Sequence, residues 1–191
     1  QLGSTGVFVI YDELEGKEAV TWSYLLHTVE LPMEIQELTD EVKVTGRNKA
    51  GGISVAHLFS SAKTEQAMVD TFFCAPTNWK NVTNAQGKAV KYPNHWHFTA
   101  TSEKAQVYRF ATVINTHALK YPAKDPEILS DGRIKVGGWL ISVNLKSDGA
   151  PSFFIRSTQE KVNITYKGEA TVINEDGYET VMRDTVPELE I

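Results

Sequence analysis

An all-β fold, a two-layer antiparallel β-sandwich with at most one short helix, is predicted by three features of this 191-residue sequence. Apolar and polar residues alternate at period two in short runs. Gly, Asn, Asp and Pro punctuate those runs, and stretches of helical composition are nearly absent. Many short strands with no helices between them pack as two facing antiparallel layers rather than as a parallel sheet with crossovers.

The elements follow in order. Val7 to Leu14 opens the chain with a strand-like apolar run. Trp22 to His27 puts Trp22, Tyr24 and Leu26 on one face and Ser23, Leu25 and His27 on the other. Val42 to Arg47 and Ile53 to Phe59 are further strands. Ser61 to Asp70 is the one stretch with helix-forming composition, capped by Ser61, though a turn leading into a strand fits as well. From Cys74 to Asn94 the chain is rich in Asn, Pro and Gly and reads as a long loop. His95 to Thr101 alternates cleanly, with Trp96, Phe98 and Ala100 opposite His95, His97, Thr99 and Thr101. Gln106 to Thr116 and Arg133 to Leu145 follow. In the second of these, Gly137-Gly138 flips which parity is apolar, as a β-bulge would. Ser152 to Ser157 and the alternating Val162, Ile164, Tyr166 come next. Val172 to Met182 forms a hairpin around Glu175-Asp176-Gly177, because Asp-Gly supplies the positive φ of a tight turn.

With 41% hydrophobic and 23% charged residues, the chain has ordinary globular composition and length for one sizeable core. No repeat or linker divides it, so residues 1–191 read as a single β-sandwich domain. Gln1 leads almost at once into strand-like Val7 to Tyr11, and the domain is expected to be the C-terminal part of a longer multidomain protein. Nineteen Lys and Arg against 24 Asp and Glu give a net charge of -5 with no basic run, which argues against nucleic acid as a partner. No apolar run reaches the length of a membrane-spanning helix. The lone Cys74 excludes an intramolecular disulfide and any multi-cysteine metal site.

Chemistry-bearing residues are sparse. No Ser/His/Asp triad, phosphate-cradling glycine loop or Gly-x-Ser-x-Gly elbow can be assembled, so no catalytic residue is assigned. His95-x-His97 sets two imidazoles on one strand face, a spacing that metal sites use and that surface histidines also show. His27 lies on the less apolar side of its strand, where a structural role is the commoner one. Asp12 is read as a strand-end residue capping a turn. On the long loop, Trp79 and Tyr92 are aromatic residues in a polar setting of the type that stacks on sugar rings, with Lys80, Lys88 and Lys91 as a basic patch for an acidic glycan. Packing against the sandwich edge and plain solvation are the commoner fates of such residues. Asn81-Val-Thr and Asn163-Ile-Thr match the glycosylation pattern, which matters only in a eukaryotic secretory route.

Val7-Phe8-Val9-Ile10-Tyr11-Asp12-Glu13-Leu14, followed by Thr21-Trp22-Ser23-Tyr24-Leu25-Leu26-His27-Thr28, resembles the C-terminal region of heparinase II/III-like polysaccharide lyases. Asp70-Thr-Phe-Phe-Cys-Ala-Pro, His95-Trp-His-Phe-Thr-Ala and Arg109-Phe-Ala-Thr-Val-Ile are similar to it as well, so the resemblance runs from Val7 to about Leu145. It implies bacterial proteins exported to the periplasm, the cell surface or the medium, in which an α/α-toroid precedes β-sandwich layers. They cleave uronic-acid polysaccharides by β-elimination. Since this chain is too short and strand-rich to include a toroid, the resemblance implies that the catalytic set and the acidic polysaccharide are met through an upstream domain. Several relatives hold a zinc with a His at the Leu-Leu-His position, here His27. The resemblance thus implies no cofactor within this segment, and a zinc in the full-length protein whose other ligands lie upstream. A stand-alone carbohydrate-binding or interaction module, using Trp79 and Tyr92, is the alternative expectation.

Overall fold

The structure, a computed structural model, describes residues 6–29, 31–70, 83–88, 95–120, 125–157, 159, 161–166, 168, 170–176 and 178–183. Their regular structure is entirely strand, in antiparallel pairs. The strands are β1 (Gly6–Val20), β2 (Ser23–Val29), β3 (Glu34–Glu37), β4 (Val42–Arg47), β5 (Gly52–Ser60), β6 (Thr64–Val69), β7 (His95–Ser102) and β8 (Ala105–Ala118). They continue with β9 (Glu127–Ile128), β10 (Ile134–Val136), β11 (Trp139–Val143), β12 (Phe153–Ser157), β13 (Val162–Tyr166), β14 (Ala170–Glu175) and β15 (Tyr178–Arg183).

Three sheets result: β1-β8-β5-β4-β3, β2-β7-β6, and the meander β15 through β9 in chain order. The first two form the sandwich. Their shared core holds Tyr24 from β2, Phe98 and Ala100 from β7, Val44, Ala56 and Leu58 from β4 and β5, and Tyr108 and Phe110 from β8. Each large apolar side chain fully buried here, such as Phe98 or Leu58, contributes roughly 1.5–3 kcal/mol. The opposite face of the five-stranded sheet, carrying Phe59, Ala111 and Val113, packs against Ile134, Val136 and Ile141 of the seven-stranded sheet. The five-stranded sheet is therefore a central layer covered on both faces. This explains why Tyr108 through Val113 is buried without a break, where a half-exposed strand would alternate.

The small sheet lies over the central one. At one end of β2 the Tyr24 ring lies 5.6 Å from Phe110 of β8; at the other, Thr28 sits against β4, where a Cβ on Gly46 would come within 2.8 Å of its methyl group. Phe8 and Ile10 of β1, on the face toward the small sheet, are 58% and 39% exposed.

Two local expectations change. Gly137-Gly138 is not a bulge: Val136 pairs with Trp139, so the two glycines are the central residues of a tight hairpin joining β10 to β11. Gly137 has φ +56°, the positive value needed at the first central position of a II′ turn, and the reversal of direction produces the change in apolar parity. Ser61–Asp70 resolves as turn and strand, because β6 completes the small sheet by pairing Thr64 through Val69 with β7. The Glu175–Tyr178 hairpin forms with Asp176 at φ 50°.

Candidate functional site

Alternation fixes the outer face of the small sheet. Tyr24 and Leu26 of β2 and Phe98 and Ala100 of β7 point into the core, so His27, His95 and His97 point away from it. His27 pairs directly with His97, and His95 lies two pairs further along, opposite Val29. The His27 and His97 ring centroids are 4.3 Å apart, tilted by 60°. His27 is exposed and the other two are half-buried; Nε2 of His97 is buried with no hydrogen-bond partner among the described residues. Partial burial, followed by repulsion from His97 and His95, lowers the His27 pKa below that of an ordinary imidazole.

Three imidazoles on one face present ring nitrogens that can hydrogen-bond to a polar group laid across them. They do not by themselves fit a zinc: among the described residues no group of three His, Cys, Asp or Glu is disposed to hold a metal ion. A structural site needs four donors and a catalytic one normally three.

Behind this face, Asp12 lies in mid-strand rather than capping a turn, since β1 runs on to Val20. It is half-buried, and desolvation pushes its carboxyl pKa upward. Burial likewise raises the phenol of Tyr24, and the nearby Asp12 charge adds to the effect.

A cleft of about 1320 Å³ wraps the end of the central sheet. Strand register divides its lining into two lobes. On the side of the small sheet are Phe8, Thr116, Ser54 and Gly46, with His27 and Thr28 beside them. On the side of the seven-stranded sheet, Val7, Val9 and Ile53 face Trp139, Ile141, Ile155 and Ile164, and Arg47 and His117 stand at the lip. Of the three imidazoles, His27 is the one among the described residues lining the cleft.

Two other polar clusters are built into the framework. His57, 1% exposed, pairs through Nδ1 with Glu41 Oε2 at 2.9 Å, and its Nε2 faces Asp125 Oδ1 at 3.8 Å; Asp125 is held by Lys43 at 2.6 Å. Arg109, 2% exposed, donates to the carbonyls of Asn144, Lys146 and Gly149 in the β11–β12 connection, and Tyr11 donates to Asn144 at 2.9 Å. Glu13 stands 3.8 Å from the guanidinium. These clusters fasten one sheet, or its connections, to another.

Of the residues singled out in the sequence, His27, His95 and His97 come together. Trp79, Lys80, Lys91 and Tyr92 lie outside the described residues, as does Cys74. Lys88 is exposed in a turn. The roles of His57 with Glu41 and of Arg109 were missed, because each partner lies far from it in sequence or is a backbone carbonyl that no motif marks. No protein-family model matches the chain, and no curated protein matches it.

Proposed function

We propose that this chain is the C-terminal β-sandwich of a heparinase II/III-like polysaccharide lyase, supporting a cleft for uronic-acid polysaccharide that an upstream domain completes, and not catalytic alone. The observation carrying this reading is the pairing of β2 with β7. The Leu25-Leu26-His27-Thr28 and His95-Trp96-His97-Phe98 segments, two of those that resemble the lyases, are hydrogen-bonded neighbours presenting their imidazoles on one face. A third such segment, Tyr11 to Leu14, pairs with Tyr108 to Ala111, which includes the Arg109-Phe110 segment.

β-Elimination needs a base for the C5 proton, an acid for the leaving oxygen, and neutralisation of the uronate carboxylate. The imidazole face can meet the last requirement only, by hydrogen bonds from ring N–H groups to the carboxylate, on a protein whose net charge of -5 would otherwise repel a polyanion. On this reading the protein is exported to the periplasm or cell surface.

Affinity electrophoresis in gels containing heparan sulfate, alginate or neutral dextran tests the reading. One of the acidic polymers is expected to retard the chain, while dextran does not, and the retardation is expected to grow toward acid pH as His27, whose pKa lies below that of an ordinary imidazole, takes up its proton. The double variant His27→Gln/His97→Gln is expected to lose the retardation. Equal migration in all three gels at every pH would overturn the proposal.

A further inference from the structure

The lobe between the central and seven-stranded sheets has features that the glycan reading does not use. Arg47, Ile53 and His117 are consecutive cross-strand neighbours on β4, β5 and β8, so all three project toward the seven-stranded sheet at the end of the central one. Inward along the same face come Val7 and then Val9, the latter pairing with Val113. From the level of His117 to that of Val9 is four residues, about 13 Å at the rise of a strand. The facing wall is Trp139, Ile155 and Ile164, with the fully buried Ile141 at its foot. The polar Asn115 on this face is 2% exposed and already engaged, so the described lining offers little to the hydroxyls of a sugar ring, and leaving them unpaired would be costly.

The charge at the lip is as particular as the lining. The protein has 24 acidic residues, yet no Asp or Glu is among the described residues lining the cleft, whereas Arg47 is, with Glu34 beside it. The Arg47 guanidinium is 43% exposed, and among the described residues its ion pair is a 3.4 Å contact through Nε with the exposed Glu34, a type worth little. Asn48 and His117 stand beside it at the opening. Apolar depth with a cation at the mouth fits an amphipathic anion.

We infer that this lobe binds a medium-chain aliphatic carboxylate, its chain along Val7, Ile53, Ile155 and Ile164 and its carboxylate at Arg47. The proposal is independent of the lyase reading. A guanidinium paired with the carboxylate adds charge-assisted hydrogen bonds to the apolar contacts, so the charge sets the preference among ligands of equal chain length.

Isoleucine-methyl NMR of the wild-type chain titrated with octanoate tests it. Saturable shifts are expected at the methyls of Ile53, Ile155 and Ile164 and not at Ile35 or Ile128. 1-Octanol and octyltrimethylammonium are expected to bind about tenfold more weakly or less, and Arg47→Gln to weaken octanoate about tenfold, equivalent to about 1.4 kcal/mol. Arg47 is exposed, so the variant should fold, and the wild-type titration stands without it. Absence of shifts, shifts spread over all isoleucines without saturation, or equal binding of octanoate and octanol would each overturn the inference.

Discussion

Arg109 of the central sheet donates to the backbone carbonyl of Gly149, 40 residues further on, in the connection between β11 and β12 of the seven-stranded sheet. The same guanidinium reaches the carbonyls of Asn144 and Lys146. One buried cation thereby satisfies three acceptors of a single loop and joins two layers.

Arg109→Met removes all three donors while keeping an apolar stem of similar length. Losing three charge-assisted hydrogen bonds between two layers makes this expensive, about 3 kcal/mol, even though the carbonyl of Asn144 keeps Tyr11 as a donor. For a chain of this size that corresponds to a fall in Tm of about 6–12 °C, checked by calorimetry. Lys at this position should recover only part of the loss, since a single ammonium cannot reproduce the fork.

The buried His57 depends on Glu41 in a similar way. Glu41→Ala leaves Nδ1 of a 1% exposed imidazole without its 2.9 Å acceptor and should cost about 1–3 kcal/mol in urea unfolding. Glu41→Gln keeps an acceptor oxygen and should cost clearly less. Equal losses would show that charge, not the hydrogen bond, holds the ring.

Asp12→Asn should stabilise the protein at neutral pH. Desolvation raises the folded-state pKa above the ordinary 3.8, so at higher pH the folded chain carries an ionised carboxylate at a penalty absent from the unfolded chain. As pH falls through the raised value toward 3.8, the folded state takes up the proton first and the penalty disappears. The variant's Tm should therefore exceed that of the wild type by about 1–2 °C at pH 7, with the gap closing in acid, as followed by thermal melts over a pH series.

Gly137→Ala tests the β10–β11 turn. Nothing lies within 4 Å of where its Cβ would be, so any loss reflects only the positive φ, about 1–2 kcal/mol. Asn, which tolerates that region, should cost less than Ala. If Ala proves neutral by urea unfolding, the turn is not of the assigned type.

Much of the fold was legible because the central rule, period-two alternation, is local. Trp22, Tyr24 and Leu26, and Trp96, Phe98 and Ala100, point as their spacing requires, and this also put His27 and His97 on the outer face. What could not be read was which strands would be neighbours. Nothing near Leu26 in the sequence announces that His97 will lie opposite His27, and nothing near Arg109 marks the carbonyls of Asn144 to Gly149 as its partners. The Gly137-Gly138 parity change illustrates the limit: a bulge and a reversal leave the same mark on the apolar pattern, and only the pairing of Val136 with Trp139 separates them. The short β3 and β9 escaped because Glu34–Glu37 and Glu127–Ile128 carry too few alternations to signal a strand.

The central claim, that this sandwich meets an acidic glycan through its imidazole face without cleaving it, is tested most directly by following the histidine ring resonances during titration with a uronic-acid oligosaccharide. The account predicts saturable shifts of His27, His95 and His97, with His57 unmoved and no growth of the ultraviolet absorbance of an unsaturated uronate. Still imidazole signals at saturating oligosaccharide, or an absorbance that rises with the chain alone, would contradict it.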